Sequence, residues 1–330
     1  MNTKSQVLKL LKCSGGKFLS GQEMAEQIYV TRASIWKAIK GLEKDGYAIE
    51  AVTNKGYRLV NAIDNIDAAN IKLRLDEEGF NINVKYYDEI DSTNDEARRF
   101  AQNENSDCLI IANQQTKGRG RRGRTFFSPK DSGIYMSLIV HVGKNVEKLS
   151  SITAVAAVSV AKAVDTVVYN EQNTSLIKWV NDVYIADKKV AGILTEAYSF
   201  MEDEEAGYLI IGFGINVYEP QTGFPKEIKN TAGFLLKGDG TVKGNIREDI
   251  VVEVIKNLKF YLDNKEESIS VYREKSNLIG NYIKINSFKE SEKNRYAFVK
   301  GISDNYHLII EYDSGQLDEL SSGEVSVVKY

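Results

Sequence analysis

Near the start of the chain two amphipathic helices follow one another with almost no chain between them. Ser20, with Glu23 three residues later, has the pattern of a capping box opening a helix that runs through Ile28. The next helix begins near Thr31, where Ile35, Ile39 and Leu42 recur at i, i+4 and i+7 as an apolar stripe. A link as short as Ile28 to Thr31 makes the second helix turn sharply away from the first, as a helix-turn-helix requires. Val7, Leu8, Leu10 and Leu11 add a short earlier helix, and Ile49–Val52 and Tyr57–Val60 read as strands around Thr53-Asn54-Lys55-Gly56. Three helices and a two-stranded wing are the pattern of a winged helix.

Charge separates this segment from the rest. Residues 1–60 carry ten basic side chains against five acidic ones, a surplus of five; the whole chain carries −3, so the remainder carries −8. An anion-seeking module joined to an acidic body follows. Arg32, Ser34, Lys37 and Lys40 fall largely on the faces of the third helix away from its apolar stripe, and Lys55 sits at the tip of the wing. These five are the expected DNA contacts, the helix in a major groove and the wing near phosphates. A winged helix that contacts protein is the competing reading.

The other function classes narrow quickly. The 330 residues exceed one average domain and are 42% hydrophobic and 27% charged, so a sizeable core is expected. Neither an apolar run near the roughly 18 residues of a membrane helix nor a secretory leader is evident, and a cytoplasmic location without membrane association is the expectation. Cys13 and Cys108 lack a CxxC partner or a histidine cluster, so no disulfide framework and no protein-held metal site are expected. His141 and His307 stand in no catalytic context, so any chemistry rests on other groups.

The polar stretch Asn61–Asn70 reads as a linker leading to a helix near Ile71–Glu78. Beyond it, mixed α/β patterning places strands at Val84–Tyr87, Cys108–Ala112, Ile134–Val140, Ser175–Trp179, Val183–Ala186, Val190–Ala197 and Tyr208–Asn216. Helices are expected at Asn94–Asn105 and Ser151–Tyr169, the second rich in Ala and Val and buried on a sheet.

Four segments carry chemistry. Gly118-Arg119-Gly120-Arg121-Arg122-Gly123-Arg124 follows Gln115 and Lys117, with no acidic residue between Asp107 and Asp131. Glycines permit close backbone approach and arginines offer forked donors, so a disordered loop closing on a small anion fits, as does a solvated or nucleic-acid-binding loop. Asp91-Ser92-Thr93-Asn94 precedes a helix, and Thr93 with Glu96 makes a second capping box whose exposed N–H groups also suit a carboxylate. Lys178-Trp179-Val180-Asn181-Asp182 sets a lysine in an apolar strand, either ion-paired within the protein or facing an anionic ligand. Gly212-Phe213-Gly214-Ile215-Asn216 ends an apolar strand with two glycines, which admits a ligand or simply tight packing.

Taken in order, DSTN, QxxGRGRRGR, KWVND, KVAGIL and GFGIN resemble the biotin protein ligase family from about Tyr86 to Asn216. The winged helix with its Lys55-Gly56-Tyr57 wing looks like the subgroup that is both ligase and repressor. The resemblance implies an α+β chain of three domains: a winged helix-turn-helix over residues 1–62, a central mixed α/β biotin/lipoate ligase-type domain over 63–270, and an SH3-like β-barrel over 271–330. In the last, strands are expected at Tyr282–Ile285, Tyr296–Gly301, His307–Glu311 and Glu324–Val328.

The same resemblance implies that biotin and Mg-ATP give biotinyl-5'-AMP and pyrophosphate, after which a lysine of a biotin carboxyl carrier protein takes the biotin. It implies that Ser92, Thr93, Asn94, Gln115, Gly120 and Gly192 hold biotin, that Arg124, Phe126, Asn181 and Asn216 meet the nucleotide, and that Arg119, Arg121 and Lys178 serve both and carry catalysis. Asp182 would steer the incoming ammonium or a metal. Val180 stands where such proteins usually have proline. As repressor, the chain would dimerise when biotinyl-AMP is bound and grip operator DNA. A lipoate ligase, or a metabolite-sensing repressor without turnover, are the alternatives.

Overall fold

The structure is a computed structural model that describes residues 3–14, 17–44, 47–104, 106–142, 149–168, 174–199, 207–237, 241–242, 245–286 and 295–328. The chain forms two compact units, one of residues 1–66 with 238–246 and one of residues 67–237 with 247–330.

The first unit packs α1 (Thr3–Cys13), α2 (Gly21–Gln27) and α3 (Arg32–Lys44) around Val7, Leu11, Met24, Ile35, Ile39 and Leu42. The capping box is present: Ser20 N–H donates to Glu23 Oε2 at 2.7 Å and Glu23 N–H to Ser20 Oγ at 3.0 Å. Val30 N–H returns to the Ala25 carbonyl, which closes the tight turn between α2 and α3. The wing is the antiparallel pair β1 (Ala48–Val52) and β2 (Gly56–Ile63). β2 runs past the expected Val60 because β10 (Thr241–Val242), from far along the chain, pairs with its end.

In the second unit α4 (Ala68–Glu77) starts ahead of the expected Ile71, since Asp67 Oδ1 accepts from Ala69 N–H at 2.9 Å and caps it. β3 (Asn83–Tyr87), α5 (Thr93–Ala101), β4 (Cys108–Ala112), β5 (Gly133–Val142), α6 (Leu149–Val167), β6 (Ser175–Lys178), β7 (Asp182–Ile185), β8 (Lys188–Ser199) and β9 (Gly207–Asn216) follow. Each expected central strand and helix is present, with ends moved by a few residues; Asn105 and Tyr169 lie outside the described residues. The seven strands form one sheet in the order β3-β4-β5-β9-β8-β7-β6, parallel only between β3 and β4. Cys108 is a free, buried thiol, and the Cys13 side chain lies outside the description.

The sequence pattern predicts no element over residues 217–270, yet α7 (Ile246–Asp263) lies there and α8 (Lys265–Glu274) begins there. α7 buries Val251, Ile255 and Leu258 but also Arg247 and Glu248, so its pattern lacks one clean polar face. The C-terminal sheet contains β11 (Tyr282–Asn286), β12 (Arg295–Ile302), β13 (Leu308–Glu311), β14 (Leu317–Leu320) and β15 (Glu324–Val327). Its order β14-β13-β12-β11-β15 is antiparallel throughout and fits the expected C-terminal β domain; the described ladders leave β14 and β15 as its edges. No helix among the described residues is long and apolar enough to cross a membrane.

Candidate functional site

Register builds the floor of the site. β5, β9, β8, β7 and β6 align Tyr135, Gly214, Gly192, Asp182 and Lys178 in one row, and Ser137, Gly212 and Leu194 stand in the next. Residues opposed across antiparallel strands share a face, so three glycines and a serine leave a shallow bed there, with Lys178 at one end. Above it lies a cavity of about 450 Å³. Its wall includes Ser92, Thr93, Asn94, Gln115, Arg119, Gly120, Arg121, Arg124, Phe126, Lys178, Asn181, Gly192 and Asn216, so every small-ligand residue expected from sequence faces one space.

At one end the start of α5 supplies polar groups. The cap is Ser92, whose Oγ accepts from Asp95 N–H, and not Thr93 as the spacing to Glu96 suggested. Thr93 is turned inward, its N–H and Oγ1 donating to Gln115 Oε1 at 2.8 and 3.1 Å, while Glu96 takes Tyr87 and Arg99. Gln115 in turn donates to Ser128 Oγ at 2.8 Å. Asn94 Oδ1 accepts from Ser137 Oγ at 2.6 Å.

The two glycines of β9 are notches. A Cβ on Gly212 would stand 2.2 Å from Asn94 Oδ1, and one on Gly214 would stand 2.6 Å from two carbons of the Phe126 ring. The Phe126 ring meets Tyr135 edge-on at 6.4 Å, its place fixed on two sides.

The arginine run folds back on itself as a narrow hairpin. Gly120 N–H bonds the Arg124 carbonyl at 2.7 Å, Phe126 N–H bonds the Gly118 carbonyl at 2.9 Å, and Arg122 and Gly123 turn the tip with φ of 58° and 72°. Its arginines differ in partner. Arg119 reaches Asp95 Oδ1 at 2.8 Å and Glu196 Oε1 at 3.0 Å, and Arg124 reaches Glu324 Oε2 at 2.8 Å. Arg121 donates to the neutral Asn181 Oδ1 at 2.8 Å, and burial, with Arg122 beside it, pulls its pKa below the usual value. Asn181 is itself anchored by donating to the Ile193 carbonyl at 2.9 Å.

Lys178 is half-buried and has no carboxylate partner among the described residues. Its Nζ lies 5.9 Å from the Tyr184 ring centroid, and Asp182, opposite it in register, is 2.7 Å from Lys189 Nζ instead. The internal ion pair that would have explained Lys178 structurally is not formed. Burial holds the Tyr184 hydroxyl at about 12, so the phenol stays neutral beside it. The Trp179–Val180 peptide is cis. Trp179 Nε1 donates to the Tyr306 carbonyl and Tyr272 OH to the Val180 carbonyl, tying this segment to α8 and the C-terminal β domain. Asn216 donates to the Gly233 carbonyl at 3.0 Å.

Sequence reading missed Asp95, Glu196 and Glu324, the carboxylates that hold the hairpin arginines, because they come from three separate elements. In the first unit Arg32, Lys37, Lys40 and Lys55 are exposed as expected. Ser34 is partly covered, its Oγ 2.9 Å from Thr31 Oγ1, and Lys40 pairs with Glu43 at 2.6 Å. Trp36, 57% exposed one residue before Lys37, and Tyr29, 94% exposed in the turn, were not singled out.

Comparison with known proteins bears on both units. Residues 86–216 match the model of the biotin/lipoate A/B protein ligase family, and residues 3–58 match an HTH domain. The bifunctional ligase/repressor BirA of Bacillus spizizenii is 35% identical over 238 residues, 72% of each chain, and that of Escherichia coli is 28% identical over 99% of this chain and 98% of its own. Among solved structures, the biotin protein ligase from Aquifex aeolicus in complex with biotin and ATP is 28% identical, with a TM-score of 0.60 over 76% of this chain and 100% of that one. A cavity assembled from the same five motifs that the sequence carries in order, together with these matches, establishes that the chain belongs to the biotin/lipoate A/B protein ligase family, alongside its bifunctional ligase/repressors.

Proposed function

We infer that this protein is an ATP-dependent biotin ligase that forms biotinyl-5'-AMP, passes biotin to a lysine of a biotin carboxyl carrier protein, and represses transcription when charged with that intermediate. The observation that carries the reading is one cavity with unlike ends: a neutral hydrogen-bonding end at Ser92, Thr93, Asn94 and Gln115, and a cationic end at Arg121 and Lys178. A neutral polar ring system with an apolar body and a carboxylate tail suits that polarity, with nucleotide phosphates beside the tail. The volume falls within the roughly 300–1,000 Å³ of small-ligand sites.

In the first step a biotin carboxylate oxygen bonds the α-phosphorus of ATP and pyrophosphate leaves with the bond electrons. In the second, the carrier amine bonds the acyl carbon, AMP leaves, and the amine loses a proton. Neither step needs a protein nucleophile. Lys178 and Arg121 bring two anions together and offset the charge that grows on the phosphoryl oxygens, so catalysis is positioning plus charge stabilisation. Arg119 and Arg124 close the rim, Phe126 offers a face to adenine, Asn181 and Asn216 hold nearby walls, and Gly120 and Gly192 leave room for the backbone to approach. Mg²⁺ arrives on the ATP phosphates as part of the substrate; among the described residues no three carboxylate, histidine or cysteine side chains gather to hold an ion, and Asp182 is the carboxylate nearest Lys178 in register.

For the repressor activity the support is the HTH match and the basic exposed side of α3. Arg32, Lys37 and Lys40 would meet the groove and Lys55 the backbone, while Ser34 steadies the start of α3 more than it reads bases. Binding of biotinyl-AMP favours the dimer that spans two operator half-sites.

Incubating the protein with biotin, Mg-ATP and a carrier domain, and weighing the carrier by mass spectrometry, tests the reading. A biotin-sized gain that needs ATP and is lost in Lys178→Ala is expected. A carrier of unchanged mass with biotin still bound points instead to a sensor without turnover. Sedimentation and operator binding with and without biotinyl-AMP test the dimer; no change in either removes the coupling.

A further inference from the structure

Glu196 belongs to β8 and lies outside the cavity wall, yet it touches both Asn94 at the neutral end and Arg119 at the rim. Its Oε2 accepts from Asn94 Nδ2 at 2.8 Å and its Oε1 from Arg119 at 3.0 Å, with its side chain 19% exposed. The Asn94 carboxamide is thereby given a direction. Its NH₂ must face Glu196, because an ionised carboxylate only accepts, and this leaves its oxygen 2.6 Å from Ser137 Oγ in the notch left by Gly212. The Arg119 guanidinium donates from its other Nη to Asp95 Oδ1 at 2.8 Å. Burial alone would lower its pKa, but Glu196 and Asp95 together hold it above the usual value. A ligand anion that recruits Arg119 has to compete with these two carboxylates for its charge.

We propose that Glu196 is a positioning residue that divides one carboxylate between the Asn94 carboxamide, whose orientation it fixes, and the Arg119 guanidinium, which it holds back with Asp95 until a ligand carboxylate or phosphate takes its place. This rests on the reading of the cavity as a biotin and ATP site. Three substitutions separate the two duties. Glu196→Gln keeps an acceptor for Asn94 but gives Arg119 no charge. Asp95→Asn removes the other of the two charges on Arg119 and leaves Asn94 alone. Glu196→Ala removes both contacts.

The test is calorimetric titration of the full chain and these variants with biotin and with biotin amide, which lacks the anion. The ratio of the two affinities isolates the arginine, since general damage to the pocket weakens both ligands alike. The partners of Arg119 are partly exposed ion pairs, so the biotin-to-amide ratio rises about three- to fivefold in Glu196→Gln, Asp95→Asn and Glu196→Ala. Biotin amide itself weakens about tenfold in Glu196→Ala alone, where the Asn94 amide loses its acceptor. An unchanged ratio in Glu196→Gln and Asp95→Asn overturns the proposal, as does equal weakening of biotin amide in Asp95→Asn and Glu196→Ala. If the unsubstituted protein binds no biotin, the underlying reading fails and takes the proposal with it; if it binds and the ratios stay flat, the reading stands and Glu196 has no such role.

Discussion

Replacing Gly214 by alanine should damage the nucleotide half of the site and spare the biotin half. The new Cβ would lie 2.6 Å from two Phe126 ring carbons, where contact carbons prefer about 3.5–4.0 Å. Gly214 is laddered to Tyr135 on one side and Gly192 on the other, so its backbone cannot give way. The ring must move instead, against Tyr135. Overpacking of this kind costs about 1–3 kcal/mol, and at about 2–4 °C per kcal/mol for a unit of this size the melting temperature falls by roughly 2–12 °C. If Phe126 carries adenine, losing that stack weakens ATP by about 0.5–1.5 kcal/mol, a KM rise of roughly two- to twelvefold. Biotin affinity should hold, because Asn94 packs against Gly212, two residues along the strand from Gly214. Gly212→Ala reverses the pattern, with its Cβ 2.2 Å from Asn94 Oδ1. The assay is a thermal melt, a calorimetric biotin titration and initial rates against ATP for both variants. A Gly214→Ala protein that melts and uses ATP as the native one does would refute the account of the notch.

Three further outcomes are expected. Lys178→Ala should slow adenylate formation about 10²- to 10³-fold while leaving the melting temperature unchanged, since Lys178 has no ion pair to lose; an equal loss of stability would make it a structural lysine. Asp91 is held at about 2, chiefly by its hydrogen bonds from Arg99. Its folded pKa is depressed, so its contribution to stability is present above the ordinary 3.8 and is lost as pH falls from there toward 2. Arg99→Ala should therefore flatten the acid limb of a stability–pH curve in that window, and a native-like slope in the variant rules the pair out as its source. Trp36→Ala should weaken binding to a duplex selected by the native protein by about 1 kcal/mol, roughly fivefold, if the indole meets thymine methyls; anisotropy that matches the native protein on selected and scrambled duplexes alike takes Trp36 out of the groove.

Local pattern was enough for much of this molecule. The buried runs Cys108–Ala112 and Tyr208–Asn216 announced strands because few polar residues interrupt them, and the stripe of Ile35, Ile39 and Leu42 announced α3 because one side of it faces water. α7 was illegible for the opposite reason, since it is covered on several sides and buries charge together with apolar side chains. Most of the expected ligand residues that line the cavity could be read from five short strings. Their arrangement could not, because the row joining Lys178, Asp182, Gly192, Gly214 and Tyr135 depends on the register of four strand pairs. The glycines of β9 illustrate the gap: two glycines in a strand call for something close by, but only the fold reveals that the neighbours are Asn94 and Phe126. In the same way the spacing of Thr93 and Glu96 suggested a cap, and Gln115 drew Thr93 away and left the cap to Ser92.

The arginine hairpin makes chemical sense once its partners are distinguished. Arg119 and Arg124 are 41% and 71% exposed and already paired with carboxylates, and exposed pairs of this kind are worth only about 0–1 kcal/mol. They can be exchanged for a ligand anion at little cost, which suits side chains that close a rim and must reopen it. Arg121 is different. It is more deeply placed, its hydrogen-bond partner is the neutral Asn181, and Lys178, which lines the same cavity, has no carboxylate partner among the described residues. A cation paired with a carboxylate has much of its field cancelled, whereas one steadied by an amide keeps its field for whatever anion arrives. A site that must bring a carboxylate against a phosphate needs uncancelled charge at the point of contact and exchangeable charge at the edge. The chain meets both needs with one residue type by changing only what each arginine leans on.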